Sequence, residues 1–314
     1  MTDKIKRLKR KIDRTLNQRH SYDYPPTSGA FVKYKANPVL RREDGGSMFD
    51  PFVREVGGEL LMCVSNRKNR SLEMYASQDG TEWFLRGELL KATPDTWEDN
   101  LNRGCFVIKD GIWYLYYTGQ NGDVSKIGLA TSEDGVHFVR EKSNPIMQPE
   151  LDFENAAVMN PCVMYDSDQA LFRMWYAAGE SFEPDVLAYA ESKDGVSWTK
   201  RPRPIMTADK DLKYQKNKVG ACDILRLSDG SYCMAYIAYQ NTDVARICLA
   251  YSDDGISGWR GDEANPILSP EENSWDSKAV YKPSMCIRNG KWMLWYNGRN
   301  ERQESIGLAV KKEM

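Results

Sequence analysis

Ile127-Gly128-Leu129-Ala130-Thr131-Ser132-Glu133-Asp134-Gly135 is one copy of a phrase that the chain repeats. Its second half recurs as Ala76-Ser77-Gln78-Asp79-Gly80, Glu191-Ser192-Lys193-Asp194-Gly195 and Tyr251-Ser252-Asp253-Asp254-Gly255. The Asp-Gly steps at 79, 134, 194 and 254 are 55, 60 and 60 residues apart. An aromatic follows each step: Trp83, Phe138, Trp198 and, one residue later, Trp259. A period of this size marks a repeated supersecondary unit.

Outward from the phrase, each unit has the same order. Inner strands are expected at Pro51-Phe52-Val53, Cys105-Phe106-Val107-Ile108, Pro161-Cys162-Val163-Met164, Cys222-Asp223-Ile224-Leu225 and Pro283-Ser284-Met285-Cys286-Ile287. Hairpin dipeptides such as Gly57-Gly58, Asp110-Gly111, Asp229-Gly230 and Asn289-Gly290 follow. An aromatic second strand comes next, for example Trp113-Tyr114-Leu115-Tyr116-Tyr117, and then a third such as Ile306-Gly307-Leu308-Ala309. A fourth ends in Asn-Pro, at Asn144-Pro145 and Asn265-Pro266.

Four strands per unit and five inner strands predict an all-β, five-bladed β-propeller. The last unit lacks a fourth strand. Residues 31–40, ending Asn37-Pro38-Val39-Leu40, match 138–147, so the N-terminal strand is expected to complete the last blade and close the ring. The propeller is expected over 29–314. A basic extension occupies 1–28, where Ile5, Leu8, Ile12 and Leu16 have helical spacing among lysines and arginines. That segment is a helix packed on the propeller, a frayed terminus, or a helix that meets a membrane surface or a partner.

Composition narrows the function. The 314 residues carry a net charge of −2 and are 41% apolar, which points away from disorder and nucleic-acid binding. No run approaches the roughly 20 apolar residues of a spanning helix, and the charged N-terminus does not read as a secretory signal. Seven cysteines without metal-like spacing read as reduced, buried thiols and suggest the cytoplasm. His20 and His137 are the only histidines, so a His-based mechanism is not expected. No cofactor or metal is expected either.

In such a fold the inner-strand starts surround one axial pocket. The aligned positions are Asp50, Arg103, Asn160, Ala221 and Lys282, with Asp223 two residues beyond Ala221. Loops on the same face offer Asn66, Arg67 and Arg70; Gln120, Asn121 and Asp123; Glu180, Glu183 and Asp185; Gln240, Asn241 and Asp243; and Arg299, Asn300, Arg302 and Glu304. Hydrogen-bonding groups around a concave site suit a carbohydrate, and the arginines suit a carboxylate or phosphate on it. Bland readings stand beside these. Asp50 before Pro51 could be a turn residue, Arg103 and Lys282 could be its structural ion-pair partners, and Glu180 could be a plain rim residue. Trp97-Glu98, Phe153-Glu154 and Trp275-Asp276 recur at similar distances before inner strands and read as scaffold.

The Asp50-Pro51 step, the Ile-Gly-Leu-Ala-x-Ser-x-Asp-Gly phrase, Tyr281-Lys282-Pro283 and Trp295-Tyr296-Asn297-Gly298 resemble the five-bladed propeller glycoside hydrolases, the superfamily of families 43, 62, 32, 68, 117 and 130. The resemblance covers residues 30–312. It implies that Asp50 is the base or nucleophile. The position of the family's second Asp is held by Asn160, and the usual acid position falls near Gly220-Ala221, without a Glu. Arg103 resembles the arginine of the family 130 phosphorylases. Glycoside hydrolysis needs two carboxylates, so Glu180 or Asp223 is the expected acid, its pKa raised by partial burial. Arg67, Arg70, Arg103, Asn160, Lys282, Arg299 and Asn300 are the expected sugar-holding residues. The chain reads as a glycosidase or related glycosyl-transferring enzyme acting on a neutral or anionic sugar. A carbohydrate-binding propeller without a working acid is the alternative, and a protein-interaction scaffold is disfavoured by the polar axis.

Overall fold

A computed structural model describes residues 31–180, 184–241 and 244–312, together with Ile12. The expected N-terminal helix lies outside this range except for Ile12. The strands are β1 (Val32–Lys33); β2 (Met48–Val56), β3 (Glu59–Asn66), β4 (Ser71–Ser77) and β5 (Phe84–Lys91); β6 (Asn100–Lys109), β7 (Ile112–Asn121), β8 (Val124–Ser132) and β9 (Val139–Arg140). They continue as β10 (Ala157–Asp166), β11 (Leu171–Gly179), β12 (Val186–Ser192) and β13 (Thr199–Lys200); β14 (Lys218–Arg226), β15 (Tyr232–Tyr239), β16 (Ala245–Ser252) and β17 (Arg260–Gly261); and β18 (Ala279–Arg288), β19 (Lys291–Arg299) and β20 (Glu304–Lys312).

Each group forms a meander of antiparallel neighbours. The β6–β9 and β10–β13 ladders join into one eight-stranded sheet through a single parallel bridge, Ala157 to Ser125. The first strand of each ladder packs on the next: β2 on β6, β6 on β10, β10 on β14, β14 on β18, and β18 back on β2. This cycle is the arrangement of a β-propeller. β1 pairs with β20 (Val32 with Val310), so the N-terminal strand does join the last ladder.

Outside the β2–β5 ladder, the outer strands β1, β9, β13 and β17 are only two residues long, shorter than the sequence suggests. In the last ladder only Val32–Lys33 and a bridge at Leu40 pair with β20. Between them the Asn37 side chain stands in for backbone, accepting from Leu308 N at 2.8 Å and donating to Leu308 O at 2.9 Å. Asn144 does the same to Leu129, and Asn265 to Leu249. The proline that follows has no N–H to offer a ladder.

The repeated phrase is explained by packing. A Cβ on Gly128 would lie 2.7 Å from the Trp97 ring, and one on Gly307 would lie 2.6 Å from Trp275. The glycine leaves room for the tryptophan that precedes the inner strand. The Ser-x-Asp-Gly step closes on itself: Ser132 Oγ accepts from Gly135 N at 3.0 Å, and Asp134 Oδ1 from Val136 N and His137 N, each at 2.8 Å.

The aromatic-plus-acid pairs are clamps that fasten each entering loop to its own ladder. Glu98 takes the Tyr117 hydroxyl and pairs with Arg140; Glu154 takes Tyr176 and Lys200; Asp276 takes Tyr296 and Lys33. In the β14–β17 ladder Gln215 takes the Tyr236 hydroxyl at 2.6 Å. Burial by itself would raise the Glu154 carboxyl, but the Lys200 ammonium and the N–H groups of Leu151 and Glu150 outweigh it and hold the group below its ordinary value.

Candidate active site

The five aligned inner-strand starts share one backbone conformation. Asp50, Arg103, Asn160, Ala221 and Lys282 have φ of 60°, 45°, 54°, 23° and 53°. At each, the pairing with the second strand slips by a bulge. Bulges re-aim side chains, and left-handed non-glycine residues cost about 1–3 kcal/mol each unless the surroundings impose them. Five repeats of that strain at one end of one axis are a feature of the site, and the sequence alignment alone carries no sign of it.

The surroundings that impose it repeat too. Arg103 N donates to Ser65 Oγ at 3.0 Å, and Asn160 N to Thr118 Oγ1 at 2.8 Å, each hydroxyl coming from the second strand of the preceding ladder. Asn297 holds the matching register place before Asp50, opposite Tyr281. It is fully buried, and neither amide atom has a hydrogen-bond partner among the described residues.

Asp50 is 2% exposed. Its Oδ2 accepts from Arg103 N at 3.1 Å, and its Oδ1 lies 3.6 Å from Lys282 Nζ. Lys282 also donates to Asn160 Oδ1 at 2.5 Å. The structure therefore brings Asp50, Asn160 and Lys282 together, as the sequence predicts. Arg67 and Arg299 belong to the rim beside them. Arg67 stacks over Phe49 (4.4 Å) and pairs with Glu304 Oε2 at 2.9 Å, while Arg299 lies over the Tyr281 ring at 6.0 Å. Tyr281 donates its hydroxyl to Glu304. Burial first, and then the Glu304 carboxylate, push the Tyr281 phenol well above its ordinary pKa, with Asp50 adding to the effect.

Two expected site residues are elsewhere. Arg103 does not face a ligand: its guanidinium is fully buried, donating to the carbonyls of Pro51 (2.7 Å), Cys222 (3.1 Å) and Pro283 (3.0 Å). It cross-links three inner strands across the axis. Asp223 does not fit the role of a raised-pKa acid. It is fully buried and bound by both Arg54 nitrogens (2.6 and 3.1 Å), Ser284 Oγ and Met285 N. Burial favours its neutral form, but the Arg54 charge and these hydrogen bonds win, and its pKa falls below the ordinary carboxylate value. Arg54, two residues beyond Phe52 on the same inner strand as Asp50, is the partner that sequence reasoning missed.

The remaining candidates lie at the edge. Glu180 is exposed and pairs with Lys218 at 3.4 Å. Arg70 pairs with Asp99 at 3.0 Å on the exposed surface. Asn300 uses Oδ1 to close its own turn, accepting from the N–H groups of Arg302 and Gln303. Glu183 and Asp243 lie outside the described residues. No group of three or more His, Cys, Asp or Glu side chains among the described residues is arranged to hold a metal ion.

Comparison with known proteins agrees with the fold. Residues 90–216 match the family model for the glycosyl hydrolases family 32 N-terminal domain, a span with Arg103 and Asn160 but neither Asp50 nor Lys282. An uncharacterized protein of Mycobacterium tuberculosis is 33% identical over 209 residues, 62% of this chain and 66% of its own length. A 1,2-beta-oligomannan phosphorylase of Thermoanaerobacter is 26% identical over 181 residues, 57% of this chain and 54% of its own. The chain thus spans about two thirds or less of the length of these relatives. A solved structure described as a glycoside hydrolase superposes with a TM-score of 0.73 at 19% identity, over 95% of this chain and 96% of its own, a likeness of fold. Taken with the axial pocket, these matches liken the chain to the β-propeller glycoside hydrolases, by family model over residues 90–216 and by fold over nearly its whole length.

Proposed function

We propose that this protein is a glycan-active enzyme, a five-bladed propeller that hydrolyses or transfers glycosyl groups at its axial pocket. The observation that carries the reading is the convergence of Asp50, Asn160 and Lys282 from three ladders on strained, bulged backbone. Asp50 takes the proton of the attacking oxygen as that oxygen bonds to the anomeric carbon. The glycosidic bond's electron pair leaves on the departing oxygen, which takes up a proton from a second carboxyl group. With Asp223 bound to Arg54, that second group is Glu304, inside the Asp50 cluster, or Glu180, on the rim. Lys282, Asn160, Arg67 and Arg299 hold the sugar, and the arginines accommodate an anionic substituent or phosphate. The oligomannan phosphorylase relative makes a β-mannoside, cleaved by water or by phosphate, the first substrate to try. The seven free, buried cysteines support a reducing, cytoplasmic setting. The basic N-terminal segment has no part in this proposal.

The test is turnover of β-1,2-mannobiose, sucrose and nitrophenyl glycosides, each with and without inorganic phosphate, by wild type and Asp50→Asn. Turnover by wild type that falls at least about 100-fold in Asp50→Asn is the expected result. Sugar-induced thermal stabilisation without turnover in either protein would contradict the enzyme and leave a binding propeller.

A further inference from the structure

Lys282 settles which way the Asn160 amide points. An ammonium has only donors, so the group it contacts at 2.5 Å is the amide oxygen. Nδ2 is thereby turned away from the lysine. It is buried in a residue only 1% exposed and has no hydrogen-bond partner among the described residues. Asp50 presents the complement. Its Oδ2 is taken by Arg103 N, and its Oδ1 is buried with no hydrogen-bond partner among the described residues. A buried donor and a buried acceptor therefore belong to two residues that one lysine ties together. Leaving both unsatisfied costs about 1–3 kcal/mol each. Native structures rarely do so without a ligand or an ordered water.

The spacing fits one small group. Lys282 Nζ is 2.5 Å from Asn160 Oδ1 and 3.6 Å from Asp50 Oδ1, so those two oxygens are at most about 6 Å apart, and Nδ2, about 2 Å from Oδ1 in the same amide, is within about 8 Å of Asp50 Oδ1. One oxygen atom that accepts from one side and donates to the other spans about 5–6 Å between its partners. A hydroxyl has that pairing, the P–OH of a protonated phosphate included; an ionised carboxylate or phosphate oxygen lacks the donor that Asp50 Oδ1 requires.

We propose that Asn160 Nδ2 and Asp50 Oδ1 form a station for a single hydroxyl, that of the attacking water or acceptor sugar, and that Lys282 is the positioning residue that locks the amide to it. The inference rests on the reading of Asp50 as the proton-accepting group. It gives Asn160, where the resembling families have a carboxylate, a defined role as donor to the oxygen whose proton Asp50 faces. The hydroxyl is thereby oriented with its proton on the carboxylate and a lone pair left for attack.

High-resolution crystal structures of the full chain, grown without sugar, test the station apart from any activity. Wild type should show one ordered oxygen within hydrogen-bonding distance of both Asp50 Oδ1 and Asn160 Nδ2, and Lys282→Met should lose or displace it. A protein atom bonded to either group, or no oxygen there in wild type, overturns the proposal. Asn160→Asp supplies a second arm, since it keeps the shape and the Lys282 contact but removes the donor. With a sugar that wild type turns over, its kcat should fall at least tenfold while KM stays within twofold. Wild-type kcat in Asn160→Asp overturns the station while leaving the proposed function standing. An ordered oxygen with no turnover of any sugar sustains the station and counts against the proposed function.

Discussion

Two aspartates are buried among the inner strands, each facing a cation, and they differ in what surrounds them. Asp223 is saturated: two guanidinium contacts, a hydroxyl and a backbone N–H use both oxygens. Asp50 has one backbone N–H and a lysine 3.6 Å away that is also bound to Asn160, and its Oδ1 has no hydrogen-bond partner among the described residues. A group with every lone pair engaged is part of the frame. A group held in strained backbone with a lone pair left over is available to a ligand. Burial alone does not separate the two, since both are almost wholly inaccessible.

The comparison is broken most directly by removing each charge. Asp223→Asn strands Arg54 and should cost about 3 kcal/mol, read as a melting temperature lower by about 5 °C or more. The pH dependence has a definite sign. Asp223 has a lowered folded-state pKa, so its contribution is present above the ordinary carboxylate pKa of about 4 and is lost as pH falls. Wild type should lose stability on acidification below about pH 4, and Asp223→Asn should lose less over that range.

A smaller effect separates the two remaining carboxylates. Glu304 lies within the Asp50 cluster through Arg67 and Tyr281, whereas Glu180 meets Lys218 at the rim. Glu304→Gln should lower kcat by about 10–100-fold, and Glu180→Gln by less than about threefold. The reverse order would move the second carboxyl group to the rim.

The smallest effect concerns the clamps. Glu154→Gln imitates Gln215, which keeps its tyrosine hydroxyl without an acid. It should cost about 1–2 kcal/mol, the loss of a charge-assisted partner for Lys200. Because the Glu154 pKa is lowered, that cost should shrink as pH falls through the carboxylate range, measured by thermal unfolding between about pH 7 and 3.

Much of this was legible in the chain. Repeat spacing, hairpin dipeptides and the Asn-Pro match place the ladders and the joining of β1 to β20, because these are local signals. The aligned starts lead to Asp50, Asn160 and Lys282, since a repeat converts sequence position into position around an axis. What was not legible was the direction of each side chain after its bulge. Arg103 and Asp50 share a backbone conformation, yet one cross-links carbonyls and the other keeps an oxygen with no hydrogen-bond partner among the described residues. The role of Asp223 was hidden for a related reason: its partner, Arg54, is 169 residues away, and nothing local announces the pair. Tyr281 and Glu304 stood in the sequence as a motif residue and a loop residue, and only the fold joins them.

The central claim is that Asp50 serves function and Asp223 serves the frame. Thermal unfolding of Asp50→Asn and Asp223→Asn, side by side at neutral pH, tests it most directly. Asp50→Asn should melt within about 2 °C of wild type, while Asp223→Asn should melt lower by about 5 °C or more. Equal losses in the two variants, or a larger loss in Asp50→Asn, would contradict it.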